Sequence, residues 1–256
     1  MKYTVITATF NSDKTVTETF NSILNQSYKG DIEYIVVDGC STDQTVDIIK
    51  SYQEKFQLKG ISFKWISEKD NGIYDAWNKG LNIATGDWIS FLGSDDIYLK
   101  SALELYNETI SNLEYPKDLV YSNVDVIKNN KTIRVINGLW SWKIFRRKMN
   151  IGHVGAFHNK EYFKIHGNYD ADYKIAGDYE LLLRAKENLK TAKVTSTTAK
   201  MAYGGISNKL IFKAFSESIK AKYQTGKLNI LLCYLDFLKE YSIYFLKKVI
   251  YKRGGS

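Results

Sequence analysis

Proline is almost missing from this 256-residue chain, with Pro116 alone. Cysteine is scarce as well. Cys40 and Cys233 lie far apart in no CxxC or metal-ligand spacing, which excludes a disulfide framework and points to a reducing compartment. No apolar run approaches the roughly 18 residues needed to span a bilayer. The amino terminus, Met1-Lys2-Tyr3-Thr4-Val5-Ile6-Thr7, runs straight into a strand without the apolar core and cleavage site of a signal peptide. A cytoplasmic location is therefore expected. Neither GxxxxGK[ST] nor GxGxxG follows the first strand, so the NTPase and dinucleotide fingerprints are both missing. A nucleotide pocket, if the chain has one, is built otherwise.

What the chain does have is tyrosine, 19 in all, and enough aromatic and branched side chains for an ordered core. Its net charge of +8 is uneven. From Ser207 on, ten Lys and Arg face three Asp and Glu, which leaves +1 for everything before. If the chain has an anionic partner, this segment meets it.

Hydrophobic patterning predicts strands at Tyr3–Ala8, Ile32–Val37, Ile61–Ile66 and Trp88–Leu92, alternating with helices marked by Val16/Phe20/Ile23, Val46/Ile49/Tyr52 and Ile73/Trp77/Leu81. Such alternation means a parallel sheet wrapped by helices. Ser41 to Gln44 reads as a capping box. A helix over Leu99–Leu113 and a hairpin of Leu119–Val126 with Thr132–Ile136 across Asn129-Asn130 come next. A helix starts near Asp178, Ala192–Val194 is a short strand, and Tyr203–Ser207 is a loop.

The stretch Trp88-Ile-Ser-Phe-Leu-Gly-Ser-Asp-Asp96 is a covered strand that stops at two carboxylates. In an open α/β sheet ligands bind beyond the carboxyl ends of the strands. Two carboxylates there either hold a hard divalent cation against a phosphate or cap the next helix.

Four separated motifs decide between these readings. They are Thr7-Ala-Thr-Phe-Asn11, Val36-Val-Asp-Gly-Cys-Ser-Thr-Asp-Gln-Thr45, Glu68-Lys-Asp-Asn-Gly-Ile-Tyr-Asp-Ala-Trp-Asn-Lys-Gly80 and Gly93-Ser-Asp-Asp96. In order and spacing the chain resembles family 2 of the glycosyltransferases. The resemblance continues more loosely through Gly152-His153 and Gly177-Asp-Tyr-Glu180 to about Ser207. It implies the GT-A (Rossmann-like) fold, a mostly parallel sheet flanked by helices. Residues 1–206 would form the transferase domain, with a nucleotide-binding half at 1–98 and an acceptor-binding half at 99–206. Residues 207–256 would be a basic, amphipathic helical extension.

The resemblance also implies roles. The donor is a nucleoside-diphosphate sugar, UDP-linked for preference, and the cofactor is Mn2+ or Mg2+. Gly93-Ser-Asp-Asp96 stands in for the family's DxD-type motif, with Asp96 on the metal and Asp95 on the ribose or diphosphate. Asp38 accepts from the base, beside Thr9 and Asn11, and a carboxylate suits that task because it accepts and cannot donate. Asp70 lies near base or ribose, and Lys79 is either a donor-site or a helix-surface lysine. Asp178 is the base that takes the proton from the acceptor hydroxyl in an inverting transfer, with Glu180 as the alternative. His153 and Trp140 are acceptor-side candidates, each with a plain packing role as the other reading.

Leu228, Leu231, Leu235, Leu238, Phe245 and Val249 recur at mostly helical spacing among lysines and tyrosines. This predicts helices lying on an anionic membrane surface, or a helical pair packed on the domain or on a second subunit as a homodimer. A peripheral place on the inner face of the cell membrane suits a saccharide or lipid-linked saccharide acceptor in surface-polysaccharide assembly. Two rival classes stay open. A sugar nucleotidyltransferase needs a Gly-rich basic loop that Thr7–Asp13 lacks. A non-catalytic membrane- or nucleic-acid-binding protein would act through the basic segment, but no base-reading pattern supports a nucleic-acid partner.

Overall fold

The computed structural model describes residues 1–205 and 210–253, with side chains up to 246. The expected boundary at 206/207, the end of the Tyr203–Ser207 loop and the side chain of Val249 lie outside the described residues.

Four strands, β1 (Tyr3–Thr9), β2 (Ile32–Asp38), β3 (Ser62–Ser67) and β4 (Trp88–Gly93), pair in parallel in the order β3-β2-β1-β4. They alternate with α1 (Val16–Leu24), α2 (Thr45–Leu58) and α3 (Ile73–Ile83), as the patterning predicts. Side chains from the central strands go alternately to two cores. Tyr34 and Val36 meet Phe20, Tyr52 and Phe56 of α1 and α2, while Ile35 and Val37 meet Tyr74 and Trp77 of α3. Covering both faces is what buries β1, β2 and β4 almost throughout, including polar residues such as Thr4, Thr7 and Glu33.

Beyond β4 the sheet becomes mixed. After β5 (Ile97–Tyr98) and α4 (Ala102–Ser111), the hairpin of β6 (Leu119–Lys128) and β7 (Lys131–Ile136) turns at Asn129 and Asn130, with φ of 49° and 59°. Asparagine tolerates that left-handed pair, and its twist matches the strands it joins. A short helix α5 (Trp142–Phe145), strand β8 (Ala156–Asn159), and helices α6 (Lys160–His166) and α7 (Gly177–Leu183) follow. Strand β8 runs antiparallel between β4 and β6.

The expected strand at Ala192–Val194 is in fact β9 (Thr191–Ala202), which lies between β6 and β5. Its Ala, Lys and Ser residues carry little strand propensity and interrupt the favourable Thr and Val positions, and pairing on both sides supplies what composition does not. In place of the capping box, α2 begins at Thr45 after Asp43 accepts from the Thr45 amide, and Ser41 is occupied with Asp38. Here a tertiary partner outcompetes the local cap.

The C-terminal extension is helical, with α8 (Ile211–Lys220), one π-turn at Ala221–Thr225, and α9 (Ile230–Arg253). Glu217, Ala221, Lys222, Leu228, Cys233 and Asp236 are buried against the rest of the molecule. Arg147 grips Asp236 with two nitrogens. No helix among the described residues is long and apolar enough to cross a membrane.

Candidate active site

The carboxyl ends of β1, β2 and β4 form one rim, since Thr9 is in register with Asp38 and Ala8 with Gly93. The loops beyond are cross-tied. Asn11 adopts φ of 47°, its amide donates to Ser41 Oγ at 2.8 Å, and its side-chain oxygen accepts from the Thr42 amide at 2.9 Å. The hydroxyls of Ser12 and Ser94 lie 2.9 Å apart, joining the β1 and β4 loops.

Asp38 is fully buried and accepts from Thr9 Oγ1 (3.1 Å), the Ser41 amide (3.0 Å), Ser41 Oγ and Ser67 Oγ (2.6 Å). Those four donors match the acceptor capacity of a carboxylate. Asp70 accepts from the Gly72 amide at 2.8 Å and backs onto Gly39, where a Cβ would lie 2.5 Å from Asp70 Oδ2. Glycine at 39 is therefore what lets the second and third motifs touch. Lys79 reaches from α3 to the Lys69 carbonyl and to Glu68, bracing the Asp70 loop.

Asp95 and Asp96 converge on Gly93. A Cβ there would stand 2.6 Å from Asp96 Oδ2 and 3.1 Å from Asp95 Oδ1. Asp96 is 6 % exposed, and its Oδ1 accepts from the Ala202 amide, the last residue of β9, at 2.9 Å. Burial first, then the charge of Asp95, pushes the Asp96 carboxyl up to about 7. A buried carboxylate beside one of like charge is a place that a divalent cation relieves. Among the described residues no cluster of three or more His, Cys, Asp or Glu could complete an all-protein cage. Mg2+ and related ions are usually held by one or two carboxylates, with phosphate oxygens and water filling the shell, and the pair fits that pattern.

Across α3 lies the second station. Asp178 is the second residue of α7 and keeps part of its surface accessible. Its Oδ1 accepts from the Tyr179 amide at 2.8 Å and from the Tyr74 hydroxyl at 3.2 Å. Burial pushes it up to about 6, although those two donors pull the other way. Tyr74 also donates to the Ile175 carbonyl at 2.7 Å, and Asn78 exchanges two hydrogen bonds with the Tyr169 backbone. Helix α3 thus carries the Asp70 loop at its start and the Asp178 loop on its flank. A Cβ on Gly177 would press 2.7 Å from the Tyr74 ring, which explains glycine ahead of Asp178.

Glu180 is committed elsewhere. It is buried, takes three hydrogen bonds from Arg184 and one from Thr225 Oγ1. His153 is 7 % exposed, stacks on Phe91, packs at a tilt against Trp77, bonds the Tyr169 hydroxyl at 3.2 Å, and is held neutral by burial, down to about 3. His158 is buried beside it. Trp140 is half-buried on Phe145. Tyr74, Ser67 and the Ala202 amide all touch candidate site residues, and motif reading singles out none of them. Tyr74 sits inside the third motif, four residues past Asp70, and that spacing was the available signal.

Comparison with known proteins bears on the family and the fold. The family model described as glycosyl transferase family 2 matches residues 4–165. A PGL/p-HBAD biosynthesis glycosyltransferase of Mycobacterium bovis is 31% identical over 228 residues, which cover 88% of this chain and 86% of that protein. Among solved structures, Staphylococcus aureus TarS residues 1–349 in complex with UDP-GlcNAc aligns with a TM-score of 0.71 at 19% identity, covering 91% of this chain and 69% of that one. The chain spans 39% of the longer TarS structure. The mannosyltransferase PcManGT of Pyrobaculum calidifontis, in complex with GDP-Man and Mn2+, aligns with a TM-score of 0.63 at 18% identity over 85% of this chain and 64% of that one. These likenesses give the GT-A fold.

Proposed function

The chain belongs to glycosyl transferase family 2, and on that premise we propose that it moves a sugar from a UDP-linked donor, with inversion, to a saccharide acceptor carried on a lipid. The observation that carries this reading is the division of labour between two carboxylate stations. Asp95 and Asp96 converge on Gly93 at the end of β4, and Asp178 stands apart on α7 with a raised affinity for protons. That TarS is solved with UDP-GlcNAc favours UDP as the nucleotide to test first.

Asp96, with Asp95 beside it, would hold Mn2+ or Mg2+, which when bound neutralises charge on the departing diphosphate. Thr9, Asn11, Asp38 and Asp70 take the base and ribose. Because protein donors fill the acceptor positions of Asp38, a base N–H is accommodated by displacing one of the hydroxyls of Thr9, Ser41 or Ser67. Lys79 holds the Asp70 loop in place. Asp178 takes the proton of the acceptor hydroxyl as that oxygen attacks the anomeric carbon from the side opposite the diphosphate. A carboxylate near 6 is ionised at pH 7 and is a better base than an ordinary aspartate. Trp140, half-buried on Phe145, is left to meet the acceptor, and His153 acts through its packing on Phe91 and Trp77.

Leu231, Leu235, Leu238, Phe245 and Leu246 are all at least half exposed along α9, next to the cationic residues of the same segment. Apolar and basic together suit an anionic membrane on the cytoplasmic face, which brings a lipid-linked acceptor to the site. Cosedimentation with phosphatidylglycerol vesicles but not phosphatidylcholine vesicles is expected. A concentration-dependent dimer that ignores both would replace this part of the reading.

Calorimetric titration with UDP, GDP, CDP and dTDP, with Mn2+ or Mg2+ and again with EDTA, tests the core proposal. Metal-dependent binding of UDP, lost in Asp96→Ala, is the expected result. A folded protein that binds none of the four overturns it. With UDP-glucose, UDP-galactose and UDP-GlcNAc as donors, the anomeric configuration of the product by NMR decides inversion.

A further inference from the structure

Three consecutive backbone amides just ahead of the proposed base point at one side chain from the C-terminal extension. The amides of Lys174, Ile175 and Ala176 all donate to the Glu217 carboxylate, at 2.8 to 3.0 Å. Glu217 sits in α8 and is 8 % exposed. Ala176 is the residue before α7, and Asp178 follows two residues later. The start of a helix leaves amides without intrahelical partners, and a carboxylate there satisfies both the hydrogen bonds and the helix dipole. Residues between 174 and 178 supply no such acceptor themselves, so the loop borrows one from about 40 residues further along the chain.

The other contacts of this loop reinforce its dependence on Glu217. Tyr74 holds the Ile175 carbonyl from the α3 side, while Glu217 holds the Ile175 amide from the α8 side. The peptide groups next to Asp178 are thus gripped from opposite directions. Helix α8 has two distinct flanks. Phe212, Phe215 and Ile219, with Tyr223 of the π-turn, line an apolar groove shared with Tyr234 and Phe237 of α9, whereas Glu217 and, in the π-turn, Ala221 face the domain. The domain-facing flank explains why the extension is packed rather than detached.

We propose that Glu217 is a positioning residue for the transfer reaction, the clamp through which α8 sets the loop that aims Asp178. The proposal rests on the reading of Asp178 as the base. Glu217 does not touch that carboxylate through a hydrogen bond of its own. It fixes the backbone from which Asp178 projects. Burial chiefly raises the proton affinity of that carboxyl, the Tyr179 amide and the Tyr74 hydroxyl lower it, and the Glu217 charge adds a smaller upward push, with the Tyr169 phenol also close by.

The test compares Glu217→Gln, Glu217→Asp and Asp178→Asn in the full chain, following UDP release from UDP-glucose, UDP-galactose and UDP-GlcNAc across pH as water takes the place of the acceptor hydroxyl and the free sugar forms, with UDP affinity measured alongside. Glu217→Gln keeps nearly the same shape but sets a donor group against amide donors. Its kcat is expected to fall at least about tenfold, because small misplacement of a reacting group is costly. UDP affinity and donor KM stay within about twofold of wild type, since the nucleotide half is untouched. With the anion gone, the acid limb of kcat moves to lower pH. Glu217→Asp keeps the charge and shortens the reach, so kcat falls while the acid limb stays. A merely structural role would instead lower kcat and UDP affinity together with the thermal midpoint and leave the acid limb unmoved in both variants, which overturns the clamp. A folded Glu217→Gln protein with wild-type kcat overturns it as well. Asp178→Asn at the wild-type rate removes the base reading itself. An inactive Asp178→Asn beside a fully active Glu217→Gln removes the clamp alone.

Discussion

Replacing Tyr74 by Phe removes a hydrogen bond from the proposed base and the one that holds the Ile175 carbonyl, and leaves the ring in place. The ring keeps its stack on Tyr169, at 5.3 Å, and its edge contact with Trp77, at 5.4 Å. The hydroxyl is 3.2 Å from Asp178 Oδ1 and shares its proton with the Ile175 carbonyl, 2.7 Å away. A hydrogen bond to a charged group contributes about 1.5–3 kcal/mol, and this divided one is worth about 1 kcal/mol. A carboxylate that loses a donor binds its proton more tightly, so Asp178 moves up from about 6 by about 0.7 pH unit, at about 1.36 kcal/mol per unit. The deprotonated form is the active one, and activity rises as pH rises through that value. In wild type, half the enzyme is competent near pH 6, and in the variant about one-sixth. Initial rates of UDP release at saturating donor should therefore drop about threefold at pH 6 and converge by about pH 8. An acid limb that stays in place or moves down would refute both the raised affinity of Asp178 and its role as base.

Three further outcomes follow from closely packed or buried groups. Gly93→Ala drives a methyl group between the two carboxylates, so metal-dependent UDP binding should fall by an order of magnitude or more while circular dichroism stays native. Glu33 has a fully buried side chain. Burial would raise it, but hydrogen bonds from Lys64, Thr4 and Thr85 outweigh burial and hold it down to about 2. Its contribution of about 3 kcal/mol is complete above pH 4.5 and lost as pH falls toward 2, and urea titration of Glu33→Gln near neutrality should show a destabilisation of that size. His153, lowered to about 3 by burial, is neutral in the folded state, so wild type loses stability as pH falls from 6.5 toward 3. His153→Phe should gain about 3 kcal/mol relative to wild type between pH 7 and pH 4, and parallel pH profiles would refute that assignment.

The first hundred residues were legible because their signals are local. Apolar alternation marks β1 to β4, and the motifs sit in the loops that follow them. The same locality led to the misreading of Ser41, whose spacing to Gln44 fits a cap while Asp38, across the strand end, takes its hydroxyl. Strand β9 was mostly invisible because Ala, Lys and Ser residues interrupt its Thr and Val positions, and its neighbours impose the strand across them. The buried state of His153 was equally hidden, since it is decided by Phe91 and Trp77 far along the chain, whereas the main partner of Glu180, Arg184, stands only four residues on and Thr225 adds a distant one. In sequence, Glu217 is an isolated acid in a basic segment, and only packing shows what it serves.

The last residue of β9 braces Asp96, and the helix after it braces the Asp178 loop. This order has a consequence for synthesis. The segment that emerges first holds the nucleotide loops and both members of the acidic pair, but the amide that fixes Asp96 lies more than a hundred residues later. Strand β9 must also insert between β6 and β5, a non-local pairing that is slow to form. At about 5–20 residues per second on the ribosome, seconds separate the appearance of the carboxylates from the arrival of the groups that hold them. A nascent chain can thus bury much of its first core while remaining catalytically incomplete, and a truncation ahead of Ala202 should leave a folded remnant without a finished site.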